Sequence, residues 1–374
     1  MKYYIISGEA SGDLHGSNLL KEINKLDKQA NVRAWGGDLL EEQGAKLVKH
    51  YRDLAFMGFA EVIMNLRTIL NNISFCKNDI LQFKPDVLIL IDYPGFNLRI
   101  AEWAKNEGFK IFYYISPQIW AWKEARVHTI KKVVDEMFVI LPFEQEFYKK
   151  YNFPVHFLGH PLLDAIENRK QNEKGFEQFV EENKLSGKKI IALLPGSRKQ
   201  EINKMLGVML KMPEKYPQFE FVIAGAPSMP ASFYEPFLKN YQTKILFGKT
   251  YELLENAHAA LVTSGTATLE TALFEVPEVV CYSGNAISIW IARQLVKIKF
   301  ISLTNLIVDR EIVKELIQDE FNETNLQLEF DKILDEKRRI QIKSDYRELK
   351  EKLGGVGASA KIAQLMVENL KKKI

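Results

Sequence analysis

Short runs of apolar residues recur along this chain and alternate with patterns typical of helices. Val87–Ile91 reads VLILI and Ile190–Leu194 reads IIALL, without the polar alternation of a strand that has one face in water. Strands that are apolar on both faces and alternate with helices indicate parallel sheets covered by helices on both sides. The predicted strands are Tyr3–Ser7, Asn31–Trp35, Val87–Asp92, Lys110–Ile115, Met137–Leu141, His156–Leu158, Ile190–Leu194, Phe221–Ala224, Lys244–Phe247, Ala259–Thr263 and Val279–Tyr282.

A polar stretch, residues 168–189, divides these strands into two sets. At 374 residues the chain is longer than one hydrophobic core usually serves. We therefore predict an α/β fold of two doubly wound, Rossmann-like domains with a cleft between them. A long surface insertion in one large sheet is the alternative. The predicted boundaries are 1–167 for the first domain, 168–189 for the linker, 190–345 for the second domain and 346–374 for a C-terminal helix that returns to the first domain or exchanges between subunits.

Composition argues against several classes of function. The net charge of +3 gives no indication of nucleic-acid binding, so no nucleic-acid partner is predicted. Cys76 and Cys281 match no metal-ligand spacing, and so few cysteines fit a reducing compartment. The absence of Asp-x-Asp, H-E-x-x-H and C-x-x-C patterns leads us to expect no metal and no cofactor. The N-terminal apolar stretch is too short for a secretory signal, and no run of about 18 apolar residues predicts a membrane span.

Two turns that follow predicted strands have the features of phosphate-binding sites. A strand-to-helix turn directs backbone N–H groups and a helix N-terminus toward one point, which favours an anion. Arg198 adds a permanently charged, planar donor, and Glu270 comes one helical turn after the second site. These turns predict an enzyme that handles a nucleotide-linked substrate. The first comprises Gly196, Ser197 and Arg198, and the second comprises Ser264, Gly265 and Thr266.

A glycine-rich turn follows the first predicted strand. Its glycines, at positions 8, 12 and 16, do not match the G-x-G-x-x-G dinucleotide fingerprint, and no P-loop lysine follows. The glycines allow a ligand to approach the backbone, and the side chains offer polar contacts to a sugar or phosphate. A tight turn in which Ser11 or Asp13 caps the next helix is the alternative. The candidate residues are Gly8, Glu9, Ser11, Gly12, Asp13 and His15.

Asp92 ends the most apolar predicted strand. A carboxylate at the mouth of a buried strand can have a raised pKa and can then accept a proton from an alcohol as a general base. The alternative is that Asp92 only caps the following helix or closes the turn.

Two aromatic or apolar segments suggest contact with a sugar, a lipid or a membrane surface. Tryptophans beside cations suit a sugar face or an anionic headgroup, and residues 56–66 are apolar on more than one helical face. Core packing is the alternative for both segments. The candidate contacts are Phe56, Met57, Phe59, Ile63, Trp120, Trp122, Lys123 and Arg126.

Taken together, the motifs resemble those of the lipid-A-disaccharide synthases, which are bacterial glycosyltransferases of the GT-B type. The matching strings run in order over most of the chain, and their combination is specific although each is weak alone. They are SGEASGD (Ser7–Asp13), DYPGFN (Asp92–Asn97), SPQIWAW (Ser116–Trp122), LPFE (Leu141–Glu144), GHP (Gly159–Pro161), LLPGSR (Leu193–Arg198), TSGTATLE (Thr263–Glu270) and SLTNLIVDREIVKELIQ (Ser302–Gln318).

The resemblance implies an inverting transfer of 2,3-diacylglucosamine from UDP to the 6-hydroxyl of 2,3-diacylglucosamine 1-phosphate, giving a β-1,6-linked disaccharide 1-phosphate and UDP. Asp92 would be the general base, with Glu9 and Asp13 as weaker candidates and His15 as a rival. The other implied roles are diphosphate binding by Gly196, Ser197 and Arg198, phosphate proximity for Ser264, Gly265 and Thr266, ribose binding by Glu270, and a nucleotide contact by Asn305.

The resemblance also implies a protein that is peripheral on the inner face of the cytoplasmic membrane, because both substrates carry acyl chains. Residues 56–66 are then expected to contact acyl chains or the membrane. A homodimer is left open. The alternative functions are another enzyme of this fold, either a UDP-N-acetylglucosamine 2-epimerase or the peptidoglycan glucosaminyltransferase, and a non-catalytic nucleotide-sugar-binding protein.

Overall fold

The protein is described by a computed structural model that covers residues 1–53, 66–169, 175–284 and 299–372. It forms two compact units, one of Met1–Glu167 with Leu353–Ile374 and the other of Asn168–Lys352. Each unit is built on a parallel sheet, and the prediction of two doubly wound α/β domains is confirmed.

In the first unit, the strands are ordered β3-β2-β1-β4-β5-β6-β7 and all are parallel. β4 is fully buried on both faces, as its unbroken apolar sequence predicts. The edge strand Lys46–His50 was not predicted, because its sequence KLVKH has only two apolar residues, which lie between charged or polar ones and show no alternation. The strands are β1 (Lys2–Ser7), β2 (Asn31–Gly36), β3 (Lys46–His50), β4 (Val87–Ile91), β5 (Ile111–Tyr114), β6 (Glu136–Val139) and β7 (His156–Phe157).

In the second unit, the order is β10-β9-β8-β11-β12-β13, again all parallel. The three-residue edge strand Glu315–Ile317 was also not predicted, since so short a run carries no pattern. The strands are β8 (Ile190–Leu194), β9 (Glu220–Gly225), β10 (Lys244–Phe247), β11 (Ala257–Thr263), β12 (Glu278–Tyr282) and β13 (Glu315–Ile317).

Helices connect successive strands in both units. Short 3-10 helices cover Tyr51–Asp53, Glu124–Arg126, Ala231–Phe233 and Gln318–Glu320. The α-helices are α1 (Ala10–Leu26), α2 (Asp38–Glu42), α3 (Leu66–Phe83), α4 (Pro94–Asn106), α5 (Ile119–Trp122), α6 (Val127–Val133), α7 (Pro142–Lys149), α8 (Pro161–Arg169), α9 (Phe176–Glu182), α10 (Lys199–Met209), α11 (Met212–Lys215), α12 (Glu235–Leu238), α13 (Thr250–Glu255), α14 (Thr266–Leu273), α15 (Leu303–Val308), α16 (Glu323–Leu334), α17 (Glu336–Lys352) and α18 (Ala358–Lys371).

The continuous part of the first unit ends at Glu167, and the stretch 168–189, which was expected to be a linker, belongs to the second unit. It contains α9, and Phe179 from this helix is buried in the second core beside Ile190 and Ala192. Residues 346–352 continue α17, and the C-terminal helix itself begins at Ala358.

The C-terminal helix α18 completes the core of the first unit. Its apolar residues Ile362 and Met366 are fully buried in one cluster with Leu20 and Ile23 of α1. The N-terminus of α18 is capped by a side chain that is distant in sequence. The Asp164 carboxylate accepts hydrogen bonds from the backbone N–H groups of Gly357 at 2.5 Å and Ser359 at 2.7 Å.

Replacing Asp164 with alanine is expected to loosen α18, because two N–H groups at its first turn lose their acceptor. Caps of this kind contribute about 1–2 kcal/mol. Hydrogen exchange followed by mass spectrometry should show faster exchange in α18. Asn322→Ala removes the N-cap of α16 in the other unit and serves as the control, which should leave α18 unchanged. Unaltered protection of α18 in Asp164→Ala would contradict the capping role.

Candidate active site

Each sheet has a topological switch point, where the connections from two neighbouring strands run to opposite sides. It lies between β1 and β4 in the first sheet and between β8 and β11 in the second. Loops diverge there and leave a crevice at the carboxyl ends of the strands, which is where ligands bind in doubly wound sheets. The segments predicted from sequence follow these four strands. They are the turn after β1, Asp92 after β4, the turn after β8 and the turn after β11.

Asp92 lies on a strained turn that is held by hydrogen bonds to its backbone. Asp92 and Tyr93 have φ angles of 44° and 47°, in the left-handed region that side chains other than glycine rarely adopt. The backbone carbonyl of Asp92 accepts hydrogen bonds from Tyr113 Oη at 2.6 Å and from Asn97 Nδ2 at 2.8 Å. These two donors bind the backbone carbonyl rather than the carboxyl group of Asp92, and the residue as a whole is partly exposed.

The turn after β1 packs closely on the Asp92 turn. A Cβ atom on Gly8 would lie 2.4 Å from the Tyr93 ring, and one on Gly12 would lie 2.9 Å from the Ser7 Cβ atom. Both glycines are therefore required by packing. Glu9 immediately precedes α1 and is partly exposed, and Ser11 is exposed in the first turn of that helix.

The negative charge of Glu9, which follows β1, acts on the carboxyl group of Asp92, which follows β4. Burial and, secondly, the negative charge of Glu9 raise the pKa of Asp92 to about 7. A carboxylate with a pKa near neutrality combines a useful ionised population with enough basicity to take a proton from a hydroxyl group.

Asp13 and His15 have different surroundings. The Asp13 carboxylate accepts hydrogen bonds from the backbone N–H groups of Gly37, Leu39 and Leu40 at 2.7–3.3 Å, and only 2% of the residue is exposed. These hydrogen bonds give Asp13 a structural role at the N-terminus of α2. His15 is also buried, and burial lowers its pKa to about 4.

The segment after β5 supplies a tryptophan and two cations. The Trp120 ring packs edge-on against Phe143, with 4.8 Å between ring centroids, and against the first core. Lys123 is exposed and Arg126 is partly exposed. The predicted contacts Phe56, Met57, Phe59 and Ile63, and the side chain of Trp122, lie outside the described part of the structure.

A buried carboxyl group that sequence reasoning did not assign supports this segment. Glu144 accepts hydrogen bonds from the backbone N–H groups of Ile140 at 3.2 Å and Leu141 at 2.9 Å, and burial raises its pKa to about 7. The Ser116 hydroxyl opposes this rise in the pKa of Glu144, and it lies 2.6 Å from Tyr148 Oη. The motif LPFE was the signal for Glu144 in the sequence, but it does not indicate which groups the glutamate binds.

In the second unit, the turn after β8 is bound by the carboxylate of Glu201. Gly196 has a φ angle of 108°, and its Cβ atom would lie 2.6 Å from Glu201 Oε2. The same oxygen accepts hydrogen bonds from the backbone N–H groups of Ser197 at 3.2 Å and Arg198 at 3.3 Å. The Ser197 amide, which was expected to face a diphosphate, is thus occupied by Glu201. The Arg198 guanidinium is 59% exposed and lies 3.8 Å from the other Glu201 oxygen.

The turn after β11 opens a helix N-terminus at the switch point. The Ser264 hydroxyl donates a hydrogen bond to the Ile301 carbonyl at 2.9 Å, which uses its only proton. Gly265 and Thr266 are exposed, and a Cβ atom on Gly265 would meet no neighbour within 4 Å. Space for an anion therefore exists at the start of α14.

Glu270 lies one turn into α14 and is partly exposed. Its Oε1 atom accepts a hydrogen bond from Tyr251 Oη at 2.7 Å. Burial raises the pKa of Glu270, and the Tyr251 hydrogen bond opposes that shift.

Asn305 is bound on all sides by groups of its own unit. It is fully buried, and Oδ1 accepts from the N–H groups of Ile312 and Val313 while Nδ2 donates to the Val313 carbonyl and to Glu315. All of its usual hydrogen-bonding positions are used. These bonds hold the connection between α15 and β13, and the nucleotide contact that the resemblance implies stays a prediction.

Among the described residues, no group of three or more His, Cys, Asp or Glu side chains is arranged to hold a metal ion. None of the described helices is both long and apolar enough to span a bilayer.

Comparison with solved structures identifies the class of fold. A UDP-GlcNAc 2-epimerase from Neisseria meningitidis bound to UDP-GlcNAc matches with a TM-score of 0.67 and 16% identity, covering 100% of both chains. CalG4, the calicheamicin glycosyltransferase, matches with a TM-score of 0.59 and 14% identity over 100% of this chain and 98% of the other. The two parallel-sheet units thus have the GT-B architecture shared by glycosyltransferases and UDP-GlcNAc 2-epimerases.

Sequence comparison identifies the family within this class. The family model described as lipid-A-disaccharide synthetase matches residues 3–368. Lipid-A-disaccharide synthases from Syntrophus aciditrophicus and Geobacter sulfurreducens are 37% and 33% identical, covering 98% and 99% of this chain and 97% of each relative. The chain belongs to the lipid-A-disaccharide synthase family and is a glycosyltransferase of lipid A biosynthesis.

Proposed function

We propose that the chain transfers 2,3-diacylglucosamine from UDP to the 6-hydroxyl of 2,3-diacylglucosamine 1-phosphate with inversion at the anomeric carbon. The products are the β-1,6-linked disaccharide 1-phosphate and UDP. The observation that carries this proposal is the Asp92 turn, because it presents a carboxyl group with a near-neutral pKa at a switch point within a chain of this family.

In the proposed step, the Asp92 carboxylate accepts the proton of the acceptor 6-hydroxyl while that oxygen bonds to the donor's anomeric carbon. The bond from this carbon to the UDP oxygen breaks at the same time, and its electron pair leaves with the diphosphate. Arg198 stabilises the charge that develops there. The N-terminus of α14, at Gly265 and Thr266, adds a favourable dipole, and Glu270 binds the ribose.

We also propose that the protein works at the inner face of the cytoplasmic membrane, where its acylated substrates reside. Lys123 and Arg126, after β5, would attract anionic headgroups, and residues 56–66 would contact acyl chains. This assignment rests on the chemistry of the substrates and on the sequence of those segments.

The experiment is a direct assay. Purified protein is incubated with both substrates in detergent, with EDTA in a parallel reaction, and the products are analysed by mass spectrometry and proton NMR. We expect disaccharide 1-phosphate and UDP in equal amounts, a β-anomeric coupling, and equal rates with EDTA. Absence of disaccharide over a range of acyl chains would overturn the proposal. Epimerisation of UDP-N-acetylglucosamine by the same preparation would favour the epimerase alternative.

A further inference from the structure

Tyr251 is a polar residue beside the second switch point to which no role has yet been given. It lies in the first turn of α13, and its hydroxyl group reaches Glu270 on the neighbouring α14. The Oη–Oε1 distance of 2.7 Å is that of a strong, charge-assisted hydrogen bond.

The Tyr251 ring is held by contacts on the rest of the side chain. The Arg169 guanidinium lies 5.3 Å from the ring centroid, within cation–π distance. The Phe274 ring, just after α14, packs at a centroid distance of 5.3 Å. Arg169 is itself fixed by an ion pair with Glu252 at 3.2 Å. These contacts set the direction of the hydroxyl group independently of Glu270.

One hydrogen bond from Tyr251 leaves Glu270 with unused accepting capacity. An ionised carboxylate has about four lone-pair positions on its two oxygens. With Oε1 fixed by Tyr251, the carboxylate plane is restrained, and its remaining lone pairs suit two adjacent hydroxyl donors. A cis-diol is the arrangement that the ribose of a nucleotide offers and that 2′-deoxyribose lacks.

We propose that Tyr251 is a positioning residue that orients Glu270 to bind the ribose diol, so that this chain selects ribonucleotides over 2′-deoxyribonucleotides. The inference rests on the proposed use of UDP and goes beyond it, because it assigns the selectivity to a residue that does not itself touch the nucleotide. The ring contacts with Arg169 and Phe274 predict that the orientation exists before the nucleotide binds.

The test compares UDP with 2′-deoxy-UDP on purified full-length protein by calorimetry. For the unaltered protein we expect 2′-deoxy-UDP to bind about 10-fold more weakly than UDP. This factor corresponds to the loss of one hydrogen bond to a charged group. Tyr251→Phe should weaken UDP about 5-fold and 2′-deoxy-UDP less than about 2-fold, which lowers the discrimination ratio. A merely structural role would weaken both nucleotides equally and leave the ratio unchanged, and that result would overturn the inference.

Tyr216→Phe is the matched control, because it also removes a tyrosine hydrogen bond to a carboxylate in this unit, to Asp331 at 2.6 Å. It should leave the ratio of UDP affinity to 2′-deoxy-UDP affinity unchanged, and a loss of discrimination equal to that of Tyr251→Phe would overturn the inference.

In a Glu270→Gln background, Tyr251→Phe should have little further effect on this ratio, and a full additive loss of discrimination would count against coupling between the two residues. Failure of the unaltered protein to bind UDP would overturn the proposed function itself. Normal UDP binding with an unchanged ratio in Tyr251→Phe would overturn only the positioning role.

Discussion

Asp92→Asn is expected to reduce kcat by at least about 10³-fold and to leave UDP affinity within about 2-fold. The amide has nearly the same shape but cannot take a proton from the acceptor hydroxyl. The turn should persist, because Tyr113 and Asn97 bind the backbone carbonyl rather than the side chain. Steady-state rates and UDP calorimetry measure the two quantities. Asp86→Asn, just before the opposite end of β4, is the control and should retain full activity.

The pH profile gives an independent check on Asp92. Only the ionised carboxylate can accept a proton, so kcat/KM should rise with pH through the raised pKa of about 7 and then level off. Glu9→Gln removes a negative charge that contributes to this rise in pKa, so it should shift the profile toward lower pH. Glu9→Asp keeps the charge and should shift it less. Identical profiles for all three proteins would show that the rate does not report on this carboxyl pair.

The second large effect is expected at Arg198. Arg198→Ala should lower kcat/KM by about 10²- to 10³-fold, because the leaving diphosphate loses its cation in the transition state. Arg198→Lys should recover only part of the activity, since an ammonium group cannot replace the planar fork. Arg198 is suited to this role because its side chain is exposed and its contact with Glu201, at 3.8 Å, is long.

The control for Arg198 is Lys211→Ala, which removes a cation just beyond the other end of α10. Lys211 pairs with Glu323 at 3.0 Å, and its loss should change kcat/KM less than about 2-fold. Comparable losses in the two variants would indicate a general effect of charge. Full activity of Arg198→Ala would transfer the leaving-group role to another residue.

Sequence reasoning predicted the central strands because burial on both faces requires unbroken apolar runs such as Val87–Ile91. It missed β3 and β13 because edge strands need only one covered face or very few residues. It also predicted which turns follow the strands. The strand order, which places those turns in pairs at two switch points, is a tertiary property that no local pattern encodes.

At the candidate site, too, sequence reasoning failed where a contact depends on the tertiary structure. Asp13 and Asn305 resemble ligand-binding residues in sequence, but Asp13 binds the backbone of another loop and Asn305 binds the backbone near Val313 and the Glu315 side chain, which become apparent only in the fold. Glu201 was not predicted to occupy the Ser197 amide, although it is only four residues away. Tyr251 gave no signal, because its hydrogen bond to Glu270 joins residues on two different helices and becomes apparent only in the fold.

The far-reaching contacts of α18 determine the order in which the chain can fold during synthesis. The second unit is one continuous segment, 168–352, and all of it leaves the ribosome before α18 does. The first unit cannot complete its core until α18 has emerged, because Ile362 and Met366 pack against α1 and the Asp164 carboxylate binds the backbone at residue 357. The N-terminal half of the polypeptide therefore reaches its final state last. Until then the apolar face of α1 is uncovered, and a nascent chain that stalls before residue 358 exposes this face to aggregation or chaperones.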